Sequence, residues 1–304
     1  MIAALLAAVA LHPQTLLTVD PDHRLVEGVA TDGKTIWLSS LIDGQILRCR
    51  GKAGCKTLAT LPSGLHPFAI AWDSNRKRLW VAADCPPGVS FIKACERGAV
   101  LAFDTKGRLR ARIGQSVGSF HPGDVSVSNG RVFVSDSQSG AVYELLPAGN
   151  ALAALVPRGV GKSGQGSALD PSGRRLIVAD YSQGVTTIDL QTGARTILKR
   201  DNDRPLRGID GVLRCGGSYY AVYNGEPPGA VLRFTVEGER IRFEPVIDGA
   251  PLVDPTQLAT DGKRLLVVGN AGWELAMKGQ PRSEGAPILT IPVDCGQQAP
   301  ASGG

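Results

Sequence analysis

The sequence predicts an all-β chain folded as a six-bladed β-propeller of four-stranded blades, closed by an N-terminal strand that completes the last blade. Three observations carry this expectation. Short β-runs separated by Asp-Gly and Gly-rich turn signals fill the chain, and those residues accept the φ > 0 backbone that tight turns need. The apolar residue at the centre of every second run recurs as Trp37, Trp80, Phe133, Ile177, Tyr220 and Leu266, at intervals of about 43 to 53 residues. That period belongs to propeller blades. Beyond the first residues no long apolar stripe of period 3.6 occurs, so little helix is expected.

The unit is clearest in HRLVEGVATDGKTIWLSSLIDGQILR, residues 23–48. A carboxylate, Glu27, is followed by Gly28 and a short apolar run. An Asp32-Gly33 turn leads into the second strand, and an Asp43-Gly44 turn into the third. The second-strand text returns as KRLWVAAD, GRVFVSD, RRLIVAD, SYYAVY and KRLLVVG, and a Gly then opens each third strand, as in GAVLAFD and GAVYELL. Linear β-repeats leave exposed edges, which a ring removes by closing on itself. Gln14–Val19 is the candidate outer strand of the last blade, whose own text ends near Val293. One propeller domain is expected over residues 14–295. The small, polar tail 296–304 is expected to be disordered.

Composition narrows the class. The chain has 304 residues and a globular apolar fraction of 43%, and its 38 Gly and 20 Pro follow no collagen-like period. The net charge of +5 is spread over the whole length. No basic cluster interleaves with aromatics, which argues against nucleic acid as a partner. The apolar run Ile2–Leu11 is too short to span a bilayer, so no transmembrane anchor is expected. Ala8-Val9-Ala10 is an A-x-A-like cleavage site, and residues 1–10 read as a signal peptide despite lacking a Lys or Arg. The spacing of the six cysteines suggests Cys49–Cys55 and Cys85–Cys95 as local staples, leaving Cys215 for Cys295. With a leader, an even count points to a periplasmic or secreted protein. The Cys85–Arg97 insertion reads either as a lid over the channel or as a surface elaboration held by its disulfide.

Aligning the units on their marker strands gives the position of Glu27 five counterparts: Phe68, Asp124, Gln165, Asp210 and Thr256. The innermost strand of each blade starts at the channel mouth, so these six side chains are expected to converge. Three carboxylates with an amide repel one another unless a cation is shared among them. A hard divalent cation, Ca²⁺ first and Mg²⁺, Mn²⁺ or Zn²⁺ as alternatives, resolves that repulsion. The competing expectation is a water-filled polar channel whose carboxylates bind strand-end N–H groups. Asn224 and Asn270, which follow second strands, read as satisfying turns.

At this point the text resembles a known family. EGVATDG with its IW, GQGSALDPSGRRLIVADYSQG and GIDGVLRCGG with YAVYNG are similar to the senescence-marker-protein/gluconolactonase family of six-bladed propellers, from about Leu25 to Asn270. The resemblance implies a metal held by a Glu of the first blade, an Asn of the fourth and an Asp of the fifth, matching Glu27, Gln165 and Asp210. Here Gln165 stands for the family's Asn, and His121-Pro122-Gly123-Asp124 keeps only the Asp of the third-blade substrate motif. The resemblance also implies hydrolysis of a small-molecule lactone or related ester. Asp210, or Asp124 beside it, would be general base, and His121, His66 and Thr256 would bind substrate. The alternative function is a non-catalytic extracytoplasmic propeller that binds a small ligand or protein partner. Gly161-Lys162-Ser163 lacks the first glycine of a P-loop, and no G-x-S-x-G elbow is present.

Overall fold

In a computed structural model of the chain, residues 13–51, 54–85, 88–95, 97–115 and 118–296 are described. The expected leader, and all of the expected tail except Gly296, lie outside them. The chain forms six four-stranded antiparallel sheets. Blade 1 is β2 (Val26–Thr31), β3 (Ile36–Ser40), β4 (Gln45–Cys49) and β5 (Cys55–Thr60), after a first strand β1 (Gln14–Val19). Blade 2 is β6 (His66–Asp73), β7 (Arg78–Asp84), β8 (Ala99–Phe103) and β9 (Leu109–Ile113). Blade 3 is β10 (Pro122–Ser128), β11 (Arg131–Asp136), β12 (Val142–Leu145) and β13 (Leu152–Val156). Blade 4 is β14 (Gly164–Leu169), β15 (Arg175–Asp180), β16 (Gly184–Asp189) and β17 (Arg195–Ile197). Blade 5 is β18 (Ile209–Cys215), β19 (Ser218–Tyr223), β20 (Ala230–Glu237) and β21 (Arg240–Asp248). Blade 6 is β22 (Leu258–Thr260), β23 (Arg264–Val268), β24 (Ala286–Pro292) and the returning β1.

The expected closure is observed, with Gln14 opposite Thr290 and Val19 opposite Ala286. The innermost strands β2, β6, β10, β14, β18 and β22 each touch the next, and β22 touches β2, so the ring is complete. Every sequence marker lies on a second strand, facing Ala30, Ala71, Ser126, Ala168, Leu213 and Ala259 of the inner strand in turn. Small partners at most of these places let large markers fill the space between blades. Each junction accordingly has its own apolar cluster. Trp37 and Ile46 of blade 1 pack with Leu79 and Val81 of blade 2, and Leu266 and Ile288 of blade 6 pack with Val29 and Leu38 of blade 1.

All three expected disulfides are formed. The first ties β4 to β5 and the second closes the blade 2 insertion. Cys215–Cys295 joins the end of β18 to the residue chain just after β24, so it binds blade 5 to blade 6 beside the closing seam. Among the described residues the single α-helix is α1 (Trp273–Met277), and no helix is long and apolar enough to cross a membrane.

Inner strands approach one another closely near the mouth. The Gly28 N–H donates to Ser39 Oγ (2.6 Å), and that hydroxyl donates to the Phe68 carbonyl of the next blade (2.6 Å). A Cβ on Gly28 would lie 2.6 Å from the Phe68 oxygen and 2.9 Å from the Ile70 nitrogen. Gly28→Ala is therefore expected to lower stability by about 1–3 kcal/mol in urea unfolding, although the substitution favours strand backbone. An unchanged midpoint would show that the blades separate easily here.

Candidate active site at the channel mouth

Each inner strand of blades 1 to 5 carries a register shift within its first residues, between Val26 and Val29 in blade 1 and between Ile209 and Val212 in blade 5. Such bulges re-aim side chains. Here they turn one residue per blade toward the mouth. Counting back from the paired residues Val29, Ile70, Val125, Ser167, Val212 and Leu258 gives Glu27, Phe68, Gly123, Gln165, Asp210 and Thr256 as the mouth ring. Five of the six expected positions are there. Blade 3 differs: Gly123 holds the ring position, and Asp124, expected in it, sits one residue deeper.

The deeper level consists of Gly28, Ala69, Asp124, Gly166, Gly211 and Gln257. Asp124 accepts a hydrogen bond from Gln257 Nε2 (2.7 Å). Blades 3 and 6 stand opposite each other in a six-membered ring, so this bond spans the channel. It fits because the other four residues at that level are Gly or Ala. Burial raises the Asp124 carboxyl to about 7, against the Gln257 hydrogen bond, which favours its ionised form.

Above this bar lie Glu27 and Asp210, both buried. Burial, then the charge of Asp210, raises the Glu27 pKa well above the ordinary range, opposed by a hydrogen bond from Trp273 Nε1 to its Oε2 (2.7 Å). Burial, then the charge of Asp124, raises Asp210 to about 8. Asn224 Nδ2 opposes that shift by donating to Asp210 Oδ2 (3.1 Å), and it also donates to the Pro255 carbonyl (2.9 Å). The Asn224 Oδ1 atom is buried with no hydrogen-bond partner among the described residues. The Leu25 backbone just before this site lies in the left-handed region (φ 55°) while its side chain is buried. The tightly packed entry to β2 holds that unfavourable geometry.

The other expected site residues are engaged as follows. Thr256 is fully buried and its hydroxyl donates to the Glu27 carbonyl (2.8 Å), linking blade 6 to blade 1. His66 Nδ1 lies 2.9 Å from the Leu41 carbonyl, so Nδ1 carries the proton and donates. His121 is buried, with Nδ1 3.0 Å from Asp84 Oδ1. Gln165 donates weakly from Nε2 to Ser163 Oγ (3.4 Å). No trio of His, Cys, Asp or Glu donors within 4.8 Å occurs at the mouth among the described residues. The group of that kind that does occur is Asp84 with Cys85 and Cys95, whose sulfurs are joined to each other.

Two insertions cover the mouth. The stretch 270–285 of blade 6 carries α1, and Asp254 Oδ2 fixes its start by accepting from the Gly272 (3.0 Å) and Trp273 (2.7 Å) N–H groups. Trp273 lies against Phe68 with ring centres 6.2 Å apart. Ile92 from the Cys85–Arg97 insertion packs with Leu25, Leu41, Ile42 and Ala276 in the same cluster. Ser90 Oγ donates to the Met277 carbonyl (3.4 Å). Of the two readings of that insertion, its contacts place it among the groups covering the mouth. Beside this cover a cavity of about 330 Å³ is lined by Asn224, Glu226, Asp254, Asn270 and Glu274. Below the Asp124–Gln257 bar a second cavity of about 570 Å³ opens toward the far ends of the inner strands.

Sequence reasoning missed Trp273, Gln257 and Asp84, and it assigned Asn224 to a turn. Gln257 had a signal, since it follows the ring residue Thr256 directly. The others depend on contacts between distant segments.

No protein-family model and no curated protein sequence matches the chain. Solved structures do. A gluconolactonase from Xanthomonas campestris, described as important in glucose secondary metabolic pathways, superposes with a TM-score of 0.66 at 18% identity, over 96% of this chain and 93% of that one. A calcium-binding protein, regucalcin, from Agrobacterium tumefaciens gives 0.62 at 18% identity, over 93% of this chain and 95% of that one. The fold is theirs. These are structures of the kind that the sequence motifs resemble. A PQQ-bound aldose sugar dehydrogenase from Streptomyces coelicolor also superposes, at 0.63 with 14% identity over 92% of this chain and 98% of that one. A shared architecture thus carries different chemistries.

Asp124 has a direct consequence for stability. Its folded pKa, about 7, lies above the unfolded carboxylate value, so the native state binds the proton more tightly. Stability therefore falls as pH rises from about 4 to about 7, and is recovered on acidification. Glu27 and Asp210, raised likewise, add to the same fall, so Asp124→Asn is expected to make that part of the profile shallower in thermal melts of chelated protein. A wild-type melting temperature that does not fall across this range, or an unaltered slope in the variant, would show that Asp124 does not titrate there.

Proposed function

We propose that the chain is a divalent-cation-dependent hydrolase of a lactone or related ester, acting at the covered channel mouth in the periplasm or outside the cell. One observation carries the reading: two buried carboxylates, Glu27 and Asp210, face the same mouth at the positions where the resembled family holds its metal. Burying two like charges is costly unless a cation or protons neutralise them. The raised pKa values express that cost, and the unpartnered amide oxygen of Asn224 beside Asp210 adds another hard donor. The donor set fits an oxygen-liganded cation, Ca²⁺ first, with Mg²⁺, Mn²⁺ or Zn²⁺ as alternatives. The fold shared with a gluconolactonase and a calcium-binding regucalcin supports the same reading. Three disulfides fit an oxidising compartment.

Glu27 and Asp210 would hold the cation. Bound there, a divalent cation supplies Lewis-acid polarisation of the substrate carbonyl and acidifies a water. Asp210 is the group placed to receive the proton of the attacking water. Asp84 fixes the His121 ring through Nδ1, and the Leu41 carbonyl fixes the His66 ring likewise. Each ring then presents Nε2 as its remaining polar atom, suited to orienting water or substrate. Asp124, tied to Gln257, supports the floor of the site. Trp273 and Phe68 exclude water, so the blade 6 insertion must move for substrate to enter.

A second reading, a non-catalytic propeller binding a small ligand or partner, is favoured by Trp273 itself. Its indole takes one Glu27 oxygen and stands where substrate must pass. Hydrolysis of a panel of sugar and aliphatic lactones separates the two. Turnover is expected to vanish with chelator and to return with one restored cation. Asp210→Ala is expected to remove more than about 99% of it, as loss of a metal-holding proton acceptor should, while thermal stability of the chelated protein is kept or raised. No turnover with any cation by folded protein would transfer the assignment to the binding module.

A further inference from the structure

The resembled family takes its amide ligand from the fourth blade, where this chain has Gln165. The geometry around Gln165 speaks against that role here. Its Nε2 is turned to Ser163 of its own blade (3.4 Å). Its Oε1 lies 3.7 Å from the Cβ position of Gly123 in blade 3, on the side away from blade 5 and Asp210. The longer side chain has carried the amide to the wrong neighbour.

We infer that the Asn224 side-chain oxygen replaces it, so that the cation site is built by Asp210 and Asn224 of blade 5 with Glu27 of blade 1. This rests on the cation-dependent reading above. Three observations support it. The Asn224 amide orientation is fixed by chemistry: Nδ2 faces two acceptors, Asp210 Oδ2 at 3.1 Å and the Pro255 carbonyl at 2.9 Å. An amide flipped the other way would put oxygen against oxygen at both. Oδ1 is thereby left as a buried acceptor with no partner among the described residues, a condition that proteins avoid unless a ligand completes it. Moreover, among the described residues no third carboxylate or imidazole forms with Glu27 and Asp210 a group of donors within 4.8 Å of one another, which leaves a neutral oxygen such as this one to complete the site.

The residue is also held still. The Asn224 N–H donates to the Gly208 carbonyl (3.0 Å), and its carbonyl accepts from the Tyr181 hydroxyl (3.3 Å). Glu27 contributes its Oε1, since Oε2 is taken by the Trp273 indole. The donor arc therefore runs over blades 5 and 1 across blade 6, displaced from the fourth blade altogether.

Calcium titration of the chelated full-length protein by calorimetry, with calcium-dependent melting as a second readout, tests this. Asn224→Leu is expected to weaken Ca²⁺ binding roughly 10- to 100-fold, and Gln165→Leu to leave it within about threefold of wild type. Asn224→Ala, which removes the oxygen without placing another opposite Asp210 and Pro255, is expected to weaken binding by a similar factor. That variant decides the matter if Asn224→Leu does not fold. Wild-type affinity in Asn224→Leu or Asn224→Ala, or loss of binding in Gln165→Leu, overturns the inference alone. Failure of the wild type itself to bind Ca²⁺, Mg²⁺, Mn²⁺ or Zn²⁺ overturns the cation-dependent reading on which it rests.

Discussion

Close approach of the six inner strands is the constraint on which the rest depends. Apolar clusters between blades pull neighbouring sheets together, and the ring narrows until backbone meets backbone. At the level of Gly28, Gly166 and Gly211 there is no space for a Cβ. The absence of side chains at these places is what allows Asp124 and Gln257 to meet across the axis. The bulges just above are the other result of the same crowding. They release the strand ends from strict alternation and turn Glu27 and Asp210 toward the mouth.

The price of that convergence is electrostatic. Glu27, Asp124 and Asp210 are withdrawn from water with no Lys or Arg among the causes that shift their pKa values. Two buried acids elsewhere are paired with a cation: Asp73 is bonded to Arg76, and Asp180 to Arg195. Among the described residues, Glu27, Asp124 and Asp210 have no such partner. Groups held in an unfavourable state by rigid surroundings are characteristic of sites that complete themselves with a ligand.

The architecture was legible because it rests on repetition. Six markers, six third-strand glycines and a spare first strand leave one closed arrangement, and each marker sits on the strand assigned to it. The mouth ring was legible for the same reason, except in blade 3. There His121-Pro122-Gly123-Asp124 offers its carboxylate one residue late, and only the pairing of Asp124 with Ser135 and Val125 with Val134 reveals the offset. Asn224 was read as a turn residue because its sequence neighbourhood is a turn. Its unpartnered oxygen is a property of where Asp210 and Pro255 lie in space. Trp273 sits in an insertion outside the repeat, and the five-residue α1 is too short to mark itself by periodicity.

The strand that closes the ring also sets the order in which the molecule can be made. Thr15 pairs with Leu289, so the first strand must wait for almost the whole chain before it finds its place. Such long-range pairing folds slowly, since the loop entropy is lost before the contact is gained. Until β1 arrives, β24 is an uncovered edge, and between Pro287 and Pro292, which blunt its ends, the apolar, uncharged run ILTI is open to pairing with another chain. The hazardous interval of this protein's life is therefore the one just before completion, and its remedy is carried at the opposite terminus.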